Sequence, residues 1–262
     1  ADVPPDIRKI DGWHCIAEKI ISSGRQCTLE GYVFEGEPVV YGVVDSIRGP
    51  NRSSFERYQY PSTLPPAARR RMILAAKRVV SQAGLDNSPF NIEFFWDRRT
   101  DRISLLEINA RISKSHSPLF DKVEGVPHKE VMIDVALGCR PEYPLGKGDF
   151  RHAAKFMLRR YDCRASDVVR RAPTEAELSA LERRFPGTEF EIHVTEGMRL
   201  GDLRFRDSYS CELAVIFAGA QSQRALMRKY REIRALLPIR IERAKRVKGQ
   251  ASARGFKRSR VV

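Results

Sequence analysis

Alternating apolar and polar residues predict two pairs of β-strands in the first half of the chain. The predicted strands are residues 27–35, 38–46, 91–96 and 103–109. Glu35-Gly36-Glu37 joins the first pair and is a hairpin signal, while the polar residues 97–102 join the second pair. Gly49-Pro50-Asn51 interrupts the periodicity and no pattern resumes before Pro61, so we expect a loop over this stretch.

Helical spacing of apolar residues predicts two helices in the same half of the chain. Pro65-Pro66 is suited to open the first helix and Gly84 to close it. The residues predicted to share its apolar face are Ala68, Met72, Ala75, Ala76, Val79 and Ala83. The second helix is predicted around His128 to Leu137. We expect the first helix to be amphipathic and to pack on the sheet.

A second α+β pattern follows Pro141. It runs strand, strand, helix, strand, strand, helix, and its better-defined elements are a helix at 175–184, strands at 189–194 and 209–217, and a helix at 222–236. We therefore predict an α+β protein with a first domain over residues 1–140 and a smaller domain over residues 141–242.

The charge is concentrated at the C-terminus. The net charge is +14, and the stretch from Arg243 to Arg260 holds eight Lys and Arg residues and no acid. Residues 243–262 are therefore predicted to be a disordered basic tail. Such a tail is most simply solvated, and any contact with nucleic acid would be non-specific and made through phosphates.

The rest of the composition is typical of a folded protein in water, with 42% apolar and 31% charged residues. No apolar run approaches the roughly 20 residues of a membrane span, so no membrane association is expected. The five cysteines, at 15, 27, 139, 163 and 211, form no Cys-x-x-Cys pair. This spacing suggests neither a disulfide framework nor a zinc site, and we expect a reducing cytoplasmic location.

The candidate chemistry lies in the stretch LLEINARIS, residues 105–113. Side chains alternate along a strand, so Glu107, Asn109 and Arg111 are expected to share one face. The same alternation places Ile103 and Leu105 on that face. We therefore predict that these polar groups lie at the mouth of a pocket.

A hairpin centred on Thr100 would place Glu93 directly opposite Glu107. Facing carboxylates repel each other, and a bound divalent cation would relieve the repulsion. Two carboxylates and the amide oxygen of Asn109 form an all-oxygen set suited to Mg²⁺, with Arg111 placed to meet a phosphate. The alternative is a half-exposed hairpin whose acids pair with arginines of its turn. Those arginines are Arg98, Arg99 and Arg102.

The stretches NIEFFWD, from Asn91, and LEINARI, from Leu106, resemble the metal-binding end of the ATP-grasp superfamily. This superfamily includes biotin carboxylase, carbamoyl-phosphate synthetase and amino-acid ligases. The resemblance implies an ATP-grasp C-terminal lobe, an antiparallel sheet with helices, followed by a smaller α+β cap domain.

The resemblance also implies roles for individual residues. Glu93, Glu107 and Asn109 match the magnesium ligands, Arg111 matches the active-site arginine, and Phe95 matches the apolar floor under the adenine. The implied cofactors are ATP and Mg²⁺ or Mn²⁺.

The stretch Ala17-Glu-Lys-Ile-Ile21 resembles the hinge strand between the two lobes of the family. The resemblance implies that Glu18, Lys19 and Ile21 lie against the nucleotide. Gln26 stands where many members have Glu or His. These four residues complete the predicted nucleotide contacts.

The resemblance implies an ATP-dependent carboxylate ligase that works through an acyl phosphate, with an unknown carboxylate and an unknown nucleophile as substrates. Ser113-Lys114-Ser115 replaces the Gln-Val-Glu of biotin carboxylase, so carboxylation of biotin is not expected. Nothing before the hinge resembles the family's first lobe, so we expect residues 1–262 alone to show weak or absent ATP binding and no measurable ligase turnover. The alternative is a non-catalytic binding module whose tail contacts nucleic acid or an acidic partner. Homodimer formation is left open.

Overall fold

The computed structural model describes residues 24–244, which form two compact units. Unit 1 contains the described residues up to Ile47 together with Tyr58–Asp149, and unit 2 contains Arg48–Arg57 and the described residues from Phe150 onward. The predicted domain boundary after residue 140 stays a prediction. Within residues 24–244 no helix has both the length and the apolar character needed to cross a membrane.

Some predicted features lie outside the described residues. They are Glu18, Lys19 and Ile21 of the predicted hinge and residues 245–262 of the predicted tail.

Unit 1 is built on an antiparallel sheet. Its strands, of which β3 lies partly in unit 2, are β1 (Arg25–Phe34), β2 (Glu37–Arg48), β3 (Phe55–Tyr60), β4 (Ser88–Asp97) and β5 (Arg102–Asn109). They are arranged in the order β5-β4-β1-β2-β3. Strand β1 pairs antiparallel with β2 and with β4, and β4 pairs antiparallel with β5. Both predicted hairpins are confirmed.

Helix α1 (Pro66–Gln82) covers one face of this sheet. Its buried residues are Ala68, Met72, Ala76 and Val80. They pack against alternate residues of β1 and β4, and the Met72 sulfur lies 3.5 Å from the Cys27 sulfur. A proline in the first turn opens the helix, and Gly84, with φ of +66°, follows its end. The predicted helix is confirmed, although Val80 is buried and Ala83 is exposed.

The structure differs from the predicted secondary structure of the first half of the chain at two places. The expected loop between residues 49 and 61 contains β3. The alternation is obscured there because Gln59, a polar residue, is fully buried. A short helix, α2 (Ser117–Glu124), was not predicted, since eight residues give too little periodicity. The predicted second helix is confirmed as α3 (Lys129–Ala136).

Unit 2 has a mixed α+β structure. Its further elements are β6 (His152–Arg160), β7 (Val168–Arg171), α4 (Glu175–Arg184), β8 (Thr188–Ile192), β9 (Cys211–Ala220), α5 (Gln223–Leu236) and β10 (Arg240–Glu242). The three longest strands are adjacent in the order β6-β9-β8 with antiparallel pairing, and β7 pairs antiparallel with β10. The predicted helices and the strands predicted at 189–194 and 209–217 are confirmed within a few residues at each end.

One disulfide links Cys163 to Cys211 in unit 2, and the cysteine spacing gave no indication of it. Cys211 is fully buried at the start of β9, and both residues contribute to an apolar cluster that includes Leu200 and Val169. Cysteines far apart in sequence therefore meet because the fold brings them to one core. The spacing suggested no disulfide framework, and this pair corrects that expectation.

Helix α4 begins with a capping box that can be tested directly. The Thr174 hydroxyl accepts a hydrogen bond from the Glu177 N–H (3.3 Å), and the Glu177 carboxylate accepts one from the Thr174 N–H (2.9 Å). Thr174→Ala should lower the free energy of unfolding by about 1 kcal/mol. Urea unfolding measures this, with Thr174→Ser as the matched control that keeps the hydroxyl. Equal loss in both variants would show that the cap is not the cause.

Candidate functional site

The two acids predicted to face each other do so. Glu93 of β4 lies directly opposite Glu107 of β5, and Asn91 lies directly opposite Asn109. Directly opposite residues of an antiparallel pair lie on the same face of the sheet. The hairpin therefore presents two carboxylates and two amides together.

A β-bulge in the hairpin produces this arrangement. Nearer the turn, Phe94 pairs with Leu105, and the register shifts by one residue before Glu93 pairs with Glu107. Leu106 is the extra residue, so the side chains of β5 change faces across it. Ile103 and Leu105 consequently pack in the core under α1. The expectation that they share a face with Glu107 is wrong, although the predicted pairing of the acids is right.

The face of the sheet opposite α1 is largely polar around the hairpin, and we call it the polar face. Its residues are Gln26, Thr28 and Glu30 of β1, Ser46 of β2, Asn91, Glu93 and Phe95 of β4, and Glu107 and Asn109 of β5. Polar residues on a buried sheet face are costly unless they have partners or ligands. This surface is therefore the candidate functional site.

Gln26 and Phe95 lie side by side on the polar face, as directly opposite residues of β1 and β4. The Gln26 side-chain amide donates a hydrogen bond to Glu93 Oε2 at 2.7 Å. Phe95 is buried, whereas its neighbours along β4 on the other face belong to the core under α1. The structure thus brings both predicted nucleotide contacts next to the acids, and their roles stay predictions.

A chain of two hydrogen bonds connects the metal-ligand candidates to Arg111. The Asn109 side-chain nitrogen donates to Asn91 Oδ1 (3.1 Å), and the Asn91 side-chain nitrogen donates to the Arg111 main-chain carbonyl (2.8 Å). This arrangement uses the Asn109 nitrogen and not the oxygen that a cation would need. The Arg111 side chain is exposed.

The acids of the hairpin turn, Asp97 and Asp101, have partners of their own. At the turn, the Arg99 N–H donates to Asp97, and Asp101 accepts from Arg71 and Trp96. None of the ion pairs among residues 24–244 joins Glu93 or Glu107 to an arginine of the turn. The alternative in which those arginines neutralise the facing acids therefore has no support in the structure.

The donor set fits a hard divalent cation. Glu93 and Glu107 provide carboxylates from paired strands, and Asn109 provides an amide oxygen on the same face. Over residues 24–244, no group of three or more His, Cys, Asp or Glu side chains is placed to hold a metal. The proposed set contains only two such residues, and a cation here would rely on the amide and on the phosphates of a nucleotide.

A buried carboxyl next to two histidines lies beside these residues and was missed by sequence reasoning. Glu30, directly opposite Asn91, is fully buried. Its Oε1 lies 2.6 Å from His116 Nδ1, and its Oε2 lies 4.0 Å from His128 Nδ1. The sequence did contain a signal for a buried polar site, because Glu30 is a charged residue within the apolar strand LEGYVF. It lies two residues after Thr28 and therefore on the same face of the strand. We call Glu30, His116 and His128 the buried cluster.

Burial controls the charge states of this cluster. Desolvation raises the pKa of Glu30 from 4.5 to about 8, against the opposing effect of nearby His128 and Arg111. Desolvation also lowers the pKa of His128. A neutral Glu30 carboxyl beside a neutral His128 imidazole is therefore the favoured state near neutral pH.

The Glu30 pKa predicts a pH-dependent stability. The folded protein keeps the Glu30 proton between about pH 4.5 and 8, so unfolding releases a proton and stability falls as pH rises through that range. The lowered pKa of His128 acts in the opposite direction only below about pH 6.5. From pH 6.5 to 8 the Glu30 contribution should reduce the free energy of unfolding by about 2 kcal/mol. Urea unfolding across this range measures it, and Glu30→Gln should lose that slope.

The fold, a match to a family model and the related sequences together indicate the ATP-grasp superfamily. Residues 59–142 match the family model for the carbamoyl-phosphate synthase L chain, ATP binding domain. Over 191 residues, 69% of this chain, it is 27% identical to the carbamoyl phosphate synthase large chain of Thermus thermophilus.

Solved structures share the fold. L-amino acid ligase from Bacillus licheniformis matches with a TM-score of 0.62 and 16% identity over 84% of this chain. The biotin carboxylase domain of Hydrogenobacter thermophilus 2-oxoglutarate carboxylase matches with a TM-score of 0.58 and 17% identity over 83%. This chain spans 16% of the Thermus large chain, 52% of the ligase and 46% of the carboxylase domain.

Proposed function

We propose that the polar face forms one wall of a Mg²⁺-ATP site in a carboxylate ligase. The observation that carries the proposal is the direct opposition of Glu93 and Glu107 with Asn109 on the same face. A cation held there neutralises facing negative charges and would also engage nucleotide phosphates. Phe95 and Gln26 would contact the rest of the nucleotide.

Arg111 would act on the transferred phosphoryl group. The Arg111 side chain is exposed, while a hydrogen bond from Asn91 holds the Arg111 main chain. The guanidinium can therefore contact a ligand from a main chain whose position is fixed. In the proposed reaction a substrate carboxylate oxygen attacks the terminal phosphorus of ATP and ADP leaves. A nucleophile then attacks the acyl carbon and phosphate leaves, and Arg111 would stabilise the negative charge of that phosphate.

The similar proteins support this proposal by what they bind or make. The Hydrogenobacter structure contains MgADP, ADP and bicarbonate and is a domain dimer, and the Bacillus protein is an L-amino acid ligase. We extend to this chain nucleotide and Mg²⁺ binding and homodimer formation.

The test is Mg²⁺-ATP binding by calorimetry together with ADP release against a panel of carboxylates and amines. Both are measured for the chain alone and with an ATP-grasp N-terminal lobe co-expressed, because the family closes its nucleotide between two lobes. Binding that requires Mg²⁺, and ADP release that requires a carboxylate, would support the proposal. Absence of nucleotide binding in both settings, with salt-sensitive RNA binding retained, would favour the alternative of a basic binding module.

A further inference from the structure

The segment that joins β5 to α2, residues 110–116, is held at three points. Asn91 donates to the Arg111 carbonyl at 2.8 Å, and His128 Nε2 lies 2.8 Å from the Ser113 carbonyl oxygen. His116, at the end of the segment, is bound to Glu30. Three anchors within six residues fix the main chain that carries Arg111. We call residues 110–116 the arginine loop.

The buried cluster contacts the Ser113 main chain. The Ser113 carbonyl accepts a hydrogen bond from His128, and the Ser113 main chain acts to lower the pKa of the Glu30 carboxyl. The His128 ring also stacks on Phe120 of α2, with ring centroids 4.8 Å apart. The cluster therefore joins β1, the arginine loop and the start of α3 into one unit.

Members of the cluster are too deeply buried to meet a substrate. Glu30 and His128 are 0% exposed and His116 is 3% exposed. Burying a carboxyl with two imidazoles is costly, and Glu30 Oε2 has no hydrogen-bond partner among the described residues. The aromatic side chains around His128 show that an apolar filling would suit this space. Unlike apolar side chains, the polar groups of the buried cluster form directional hydrogen bonds with the arginine loop.

We infer that Glu30 and His128 are positioning residues that hold the arginine loop and thereby fix the place from which the Arg111 guanidinium reaches its ligand. The inference rests on the proposed function, since it assigns Arg111 a ligand. Neither residue touches the ligand, and both act through the loop main chain. Ser113, which His128 holds, lies two residues after Arg111 in the chain. A displacement of the Ser113 main chain would therefore also displace the Arg111 guanidinium.

The first measurement is hydrogen exchange of the loop amides in the chain alone. His128→Leu removes the donor to the Ser113 carbonyl, and exchange of the His116 amide, which donates to the same carbonyl at 3.1 Å, should accelerate at least tenfold. His128→Gln offers an amide donor in its place and should recover most of the protection. The matched control is Tyr143→Phe, which removes a hydrogen bond to the Val126 carbonyl in the same aromatic surroundings without touching the loop.

The second measurement is a double-mutant cycle on carboxylate-dependent ADP release. His128→Leu should lower kcat roughly tenfold to a hundredfold with little change in KM for ATP, because it misplaces Arg111. In an Arg111→Ala background the same change should have almost no further effect. A general loss of folding would instead reduce both backgrounds equally.

The outcomes separate this inference from the proposed function. Unchanged loop exchange in His128→Leu would overturn the inference whatever the nucleotide data show. Faster exchange with additive kinetic effects would also overturn it, because the cluster would then act independently of Arg111. If the parent shows no Mg²⁺-ATP binding or ADP release with the co-expressed lobe, the proposed function fails and the role of Arg111 fails with it. The exchange data would still decide whether the cluster holds the loop.

Discussion

Replacing Glu107 with glutamine is expected to weaken Mg²⁺-dependent nucleotide binding by about one to two orders of magnitude. The change removes one charged ligand, and interactions with charged groups are worth roughly 1.5–3 kcal/mol. It also removes a like charge directly opposite Glu93, so the ligand-free protein should become slightly more stable. Calorimetry with Mg²⁺-ATP measures the first effect and urea unfolding measures the second.

Weaker Mg²⁺-ATP binding together with a more stable ligand-free protein would distinguish a cation site from a surface hairpin without a ligand. Glu142→Gln is the matched control, because it removes an exposed carboxylate of the same unit away from the polar face. If Glu107→Gln binds Mg²⁺-ATP as tightly as the parent, the metal assignment is wrong. Glu93→Gln is a less clean probe, since Glu93 also accepts a hydrogen bond from Gln26.

Loss of the Cys163–Cys211 disulfide is expected to lower the free energy of unfolding by about 3–4 kcal/mol. The linked cysteines are separated by 48 residues, and closing a loop of this size restricts the unfolded chain by about that amount. Urea unfolding of Cys163→Ser should show the loss, and the variant should no longer respond to reductant. The parent should lose the same stability when reduced.

Cys139→Ser is the control for the disulfide, because Cys139 is a free, exposed cysteine. It should unfold like the parent and keep the parent's response to reductant. A parent protein whose stability is indifferent to reductant would contradict the predicted contribution of the disulfide.

The sequence predicted the elements whose apolar residues repeat without interruption. Helix α1 and the two hairpins of unit 1 follow from such repeats, and so does the facing of Glu93 and Glu107. Strand β3 was missed because buried Gln59 does not look like a core residue. The alternation of apolar and polar residues indicates which apolar side chains can be buried. It does not reveal a polar side chain that is buried with a partner.

Sequence spacing predicted the part of the candidate site that lies on the β4–β5 hairpin or directly after it. The acids, Asn109 and Arg111 are close in sequence or related by one turn, so local spacing brought them together. The buried cluster was not predictable in this way, because Glu30 and His128 come from distant segments and meet only when α3 packs near β1. Neither His116 nor His128 has a spacing in the sequence that indicates a partner.

The extra residue at Leu106 has a consequence for recognising relatives of this chain from sequence. Removing or adding one residue between Phe94 and Glu107 would exchange inward-facing and outward-facing positions on one side of the bulge. An alignment that opens a gap there would assign either Glu107 to the core under α1 or Leu105 to the polar face, depending on which side of the gap is kept in register. The number of residues separating Glu93 from Glu107 therefore carries information that neither short motif contains alone.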